Sequence, residues 1–93
     1  MIDVKQAVKI ARDYITNLFD QPLRELQLEE VQLSDDDKYW LITFGYDTDR
    51  MPALEYGRSG DFTPVKPQYI RDYKIVTVDA ETGKPISMKI REL

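Results

Sequence analysis

The chain contains no cysteine and no histidine. Without thiols there is no disulfide framework, no thiolate nucleophile and no thiolate metal ligand. Without imidazole, the Ser-His-Asp and Cys-His arrangements, the commonest general base and ordinary structural zinc go as well. Any proton transfer would have to rest on carboxylate, Tyr, Lys or Arg, and the expectation is no catalytic residue, no metal and no cofactor. Long apolar runs are also missing: nothing approaches the ~20 residues that cross a bilayer, so no membrane partner is expected. Met1-Ile2-Asp3-Val4-Lys5 leads straight into a polar-apolar helical pattern, with no apolar central region and no small-residue cleavage site. That start does not read as a secretory leader, and the expected compartment is the cytoplasm. An excess of positive charge is lacking too. Thirteen Lys and Arg stand against seventeen Asp and Glu, a net charge of −4, and the two signs alternate along the chain. Nucleic acid, whose phosphates need a clustered basic face, is therefore not expected as a partner.

What is present is ordinary for a folded chain. Hydrophobic residues make up 42% and charged residues 32%, enough apolar surface to fold without disulfides. Ninety-three residues supply one core and no more, so residues 1–93 are expected to form a single α+β domain.

Asp3 reads as a helix N-cap, with Gln6 in capping-box position and Ile2 placed to staple against Ala7. Val4, Ala7, Val8, Ala11, Tyr14 or Ile15, and Leu18 recur at three- and four-residue spacing, while Lys5, Lys9, Arg12 and Asp13 fall opposite. The helix should stop near Phe19–Asp20, because Pro22 cannot continue it. Leu26 to Leu33 reads as a strand in which Leu26 and Leu28 alternate but Val31 and Leu33 change parity, which predicts a bulge at Glu29-Glu30. Ser34-Asp35-Asp36-Asp37 is a turn. Tyr39 to Tyr46 follows as the heaviest core strand, with Trp40, Ile42, Phe44 and Tyr46 on one face. Tyr73 to Val78 is a third strand and Asp79-Ala80-Glu81-Thr82-Gly83 a hairpin turn, Gly83 suiting a positive φ. Ile86, Met88 and Ile90 alternate with polar residues in a fourth. The expected architecture is one amphipathic helix packed on a four-stranded antiparallel sheet, two hairpins separated by a long loop insertion at 47–72.

That insertion holds Pro52, Pro64 and Pro67, three of the five prolines, and two of the four glycines. Connections longer than ~12–15 residues with no element of their own are unusual in small domains and tend to carry function. Arg50, Tyr56, Arg58, Phe62, Tyr69 and Arg71 supply the residue types that anchor protein interfaces, which makes them the candidate partner-binding set.

Three stretches resemble the PepSY-like domains. Ile2 to Ala11 looks like their opening helix, Tyr39-Trp40-Leu41-Ile42-Thr43-Phe44 like their aromatic second strand, and Tyr73 to Ile86 like a final strand running into an Asp-Ala-x-Thr-Gly turn. The 47–72 interruption is longer than the connection usual in that family. The resemblance implies a non-catalytic module of the kind associated with peptidase inhibition, often within propeptides, or with sensing in the cell envelope. A free-standing cytoplasmic version is similar to small bacterial immunity and chaperone-like helix-plus-sheet proteins.

Other constellations have blander readings. Asp35-Asp36-Asp37 lacks the alternating spacing of a calcium loop and reads as a solvated turn. Glu25, Glu29, Glu30 and Glu55 could serve as paired carboxylates only across a cleft, which a helix over one small sheet does not offer. Lys84, Pro85, Lys89 and Arg91 blunt the last strand as a sheet edge, which leaves Leu26–Leu33 as the edge for a homodimer. The expected function is a non-catalytic protein-binding or inhibitory domain acting through 47–72. A structural or chaperone-like homo-oligomer and an enzyme working through carboxylates alone are the alternatives.

Overall fold

The computed structural model describes residues 1–48 and 70–92. Helix α1 (Val4–Leu18) is followed by β1 (Arg24–Leu33), β2 (Tyr39–Asp47), β3 (Arg71–Asp79) and β4 (Pro85–Ile90), which form one antiparallel sheet in the order β1-β2-β3-β4. This is the expected α+β arrangement, with the helix packed on β2, β3 and β4.

The helix begins as the sequence dictates. The Asp3 carboxylate accepts from the Gln6 amide at 2.8 Å, and the Asp3 amide donates to Gln6 Oε1 at 3.0 Å, a reciprocal capping box. Just before it, the Ile2 amide donates to the Ala80 carbonyl and Trp40 Nε1 donates to the Ile2 carbonyl, so the first turn is tied to the β1–β2 and β3–β4 end of the sheet. Ala7, Ala11 and Ile15 face the sheet and are fully buried with Ile42, Phe44, Val76 and Val78. Two alanines in that stripe let the helix sit close, and Phe44 fills the space between, with the Arg12 guanidinium 5.9 Å from its ring centre. At the far end Phe19, the C-cap, meets the Tyr46 ring edge-on at 5.7 Å. The stripe overhangs the sheet at both ends: Val4 and Leu18 remain exposed.

β1 pairs with β2 through two register breaks. One lies between Leu28 and Glu30, where the change of parity at Val31 predicts it, and it returns Val31 to the helix side opposite Ile42. The second, between Arg24 and Gln27, places Glu25 at φ 52°, a left-handed conformation that an L side chain adopts at a cost. Strands β2 and β3 pair without interruption from Tyr39↔Asp79 to Asp47↔Arg71. The ladder therefore runs further than periodicity suggests: Asp47, Arg71 and Asp72 belong to strands, not to the insertion.

Candidate functional site

Alternation along β2 sends Trp40, Ile42, Phe44 and Tyr46 under the helix and Thr43 and Gly45 to the opposite, helix-free face. Gly45 is needed there. A Cβ at this position would lie 2.8 Å from Glu29 Oε1, 3.0 Å from Arg71 Nη2 and 3.0 Å from Tyr73 Cε1. The bulge that corrects β1's parity also drops Glu29 over this glycine, where its carboxylate meets Arg71 at 3.1 Å. Arg71 Nη1 bonds Asp47 at 2.9 Å, and both terminal nitrogens reach the Glu25 carbonyl at 3.3 Å. Partial burial works against the cation, but hydrogen bonds to Asp47 and Glu29 outweigh it and hold the Arg71 pKa above its ordinary value. Arg71, one of the candidate contact residues, thus spends its guanidinium on fastening β1, β2 and β3 together.

A second arginine does the same one step along. Arg91 Nη1 reaches from beyond β4 to Glu30 Oε2 at 2.7 Å and to Thr43 Oγ1 at 2.9 Å. Thr43 is the one polar side chain in the buried set of described residues, and Arg91 satisfies it. The carboxylates of Glu29 and Glu30 are therefore each held by a different cation. No signal of spacing in the sequence links Arg91 to Glu30; Gly45, a glycine inside an aromatic strand, was the legible sign of a close approach on this face.

The insertion leaves and returns at one point. Beyond the Asp47↔Arg71 pair, the Thr48 amide and hydroxyl both donate to the Ile70 carbonyl, at 2.9 and 2.8 Å. Arg50, Tyr56, Arg58, Phe62 and Tyr69 lie outside the described residues, as does Glu55. A shallow groove opens beside this base, lined by Phe19, Pro22, Leu23, Tyr46, Thr48 and Lys74, among others.

The acidic turns sit at the other end of the sheet. Asp36 accepts from Ser34 Oγ at 2.6 Å and from the Lys38 amide at 3.1 Å, and the Ser34 bond above all holds its pKa below the usual value. Asp79 likewise accepts from the Thr82 and Glu81 amides, which lower it. Both acids close turns. Among the described residues, no group of three or more acidic side chains is placed to hold a metal ion, and no helix is long and apolar enough to cross a membrane. No family model, no curated protein and no solved structure matches this chain.

Proposed function

We propose that this chain is a non-catalytic protein-binding domain of the inhibitory kind, in which helix and sheet form a fixed base and the segment between Asp47 and Arg71 makes the contact. The observation that carries the reading is the closure at that base: the ends of the insertion sit in adjacent ladder positions, held by the Asp47–Arg71 ion pair and the two Thr48 bonds to Ile70. A segment that departs and returns through one hydrogen-bonded pair can change in sequence without changing the sheet, which is how binding loops are carried on rigid scaffolds. Arg50, Tyr56, Arg58, Phe62 and Tyr69 bring anchor residues to that segment, and Arg71 secures its root. The filled interior and the arginine-bound state of Glu29 and Glu30 speak for binding rather than catalysis. The likeness to PepSY-like domains adds a peptidase as the class of target, and a bacterial cytoplasm is the proposed setting.

The test replaces residues 49–69 by a two-residue Asn-Gly turn, which suits a β2–β3 hairpin. The shortened chain should fold yet fail to bind the protein that the full chain captures, measured with that protein purified. Full-chain variants with Tyr56 or Arg58 changed to Ala should bind it at least about tenfold more weakly. A shortened chain that binds with undiminished affinity would rule out the segment as the contact.

A further inference from the structure

The two edges of the sheet are not equally protected. β1 is interrupted by two bulges, carries Glu25 in a left-handed conformation, and presents Glu29 and Glu30 at the break that follows Leu28. Such an edge does not accept a further strand readily. β4 is different. Its irregularity is confined to the start, where Pro85 rather than Ile86 stands opposite Val78, and from Ser87 onward it is regular. The Arg91 amide donates to the Tyr73 carbonyl at 2.9 Å, so by antiparallel alternation the amides of Lys89 and Arg91 point inward to β3 and those of Met88 and Ile90 point outward. Among the described residues nothing pairs with them. Ile90 is 73% exposed and Ile86 49%. Of the charges on this edge, the Arg91 guanidinium is drawn across the sheet to Thr43 and Glu30.

We infer that β4 pairs antiparallel with β4 of a second copy of this chain about a two-fold axis at Met88, joining two four-stranded sheets into one of eight. Residue order selects this partner and this register. With the axis at Met88, Ile90 stands opposite the partner's Ile86 and Lys89 opposite the partner's Ser87. Apolar meets apolar twice by symmetry, and neither lysine faces its own copy. Moving the axis to Lys89 sets two lysines face to face; moving it to Ser87 carries Ile90 beyond the partner's Pro85, where β4 is irregular. Pro85 does not obstruct the pairing, since it lies at the irregular start of the strand, outside the outward amides of Met88 and Ile90. A two-fold axis normal to the sheet keeps both helices on one face and turns the Thr48–Ile70 bases to opposite ends, so the dimer presents its two insertions in opposite directions. The strand is short, six residues, so the dimer is reversible and depends on concentration.

The test is sedimentation equilibrium of the full chain from micromolar to sub-millimolar concentration, with folding of every variant checked by Trp40 fluorescence. The mass should rise from 10.9 kDa towards twice that value. Ile90→Lys, at an exposed position, should weaken association at least about tenfold by placing a charge on the edge. Amide exchange at Met88 and Ile90 should be slow in the dimer and fast on dilution. A monomer at every concentration would overturn the inference. So would a dimer indifferent to Ile90→Lys. Protection of the Met88 and Ile90 amides that does not change on dilution would assign the edge to a segment of the same chain, and would overturn it too.

Discussion

Gly45 and Glu25 occupy backbone positions whose demands run in opposite directions. Gly45 has no room for a methyl group beneath Glu29, Arg71 and Tyr73. All three obstructing atoms are side-chain ends, so Gly45→Ala should displace the Arg71–Glu29 bridge and cost about 1–2 kcal/mol, within the range of overpacked sites. Urea unfolding followed by Trp40 fluorescence reads the loss. Glu25 has the reverse problem, a side chain where φ is 52°. Glu25→Gly should stabilise the fold by about 0.5–1 kcal/mol, the left-handed strain removed less the added freedom of the unfolded chain. Its carbonyl still accepts from Arg71. The arginines separate in the same way. Arg91→Ala leaves the buried Thr43 hydroxyl without its partner and should cost about 1–3 kcal/mol, more than the exposed Glu30 pair alone would suggest. None of these roles was read from the sequence, although a glycine inside an aromatic strand is a signal of close approach that Gly45 carried. A positive φ at glutamate follows from a bulge whose position depends on both strands, which no local pattern encodes.

Acid behaviour belongs to the same scale. The folded pKa values of Asp36 and Asp79 lie below their unfolded ones, because Ser34 in the first turn and the Thr82 amide in the second favour the carboxylate. The stability they contribute is present above the ordinary carboxylate range and is lost as pH falls through the depressed folded values. Asp79→Asn should therefore show less loss of stability on acidification than the parent chain, read as the change in urea midpoint between neutral pH and the acid limb.

At the scale of elements, α1 and the first bulge were the most legible features. A short acceptor, a glutamine three residues on and a 3.6-residue stripe leave one helix start, and Asp3 and Gln6 bond as that pattern requires. Removing the cap by Asp3→Ala should cost about 1 kcal/mol. The change of parity between Leu28 and Val31 could be accommodated only by an extra residue, and the break falls there. Strand ends were less legible. Asp47, Arg71 and Asp72 extend the β2–β3 ladder although none is apolar, since their place is fixed by backbone pairing and by Arg71's partners rather than by burial. The helix stripe misled in a smaller way: Val4 and Leu18 share the periodicity of the core but lie past the edge of what the sheet can cover.

For the whole molecule, the sheet order follows from two hairpins and an insertion whose ends are neighbours, so the described fold closes without residues 49–69. The sequence pointed to β1 as the edge open to a second copy and to β4 as the blunted one. The bulges in β1 and the inward reach of Arg91 point instead to β4 as the edge we infer, and both depend on tertiary contacts made across the sheet. The candidate contact residues were legible only as residue types in an aperiodic stretch, and Arg71 alone is placed, as part of the base. The separation of a self-sufficient base from a contacting segment is most directly tested by urea unfolding of the chain in which an Asn-Gly turn replaces residues 49–69. A single cooperative transition, with stability equal to the full chain or up to ~2 kcal/mol higher from the shorter loop to be closed, is the expected result. Loss of the cooperative transition would contradict the account, since it would make the segment part of the core that it is held to stand upon.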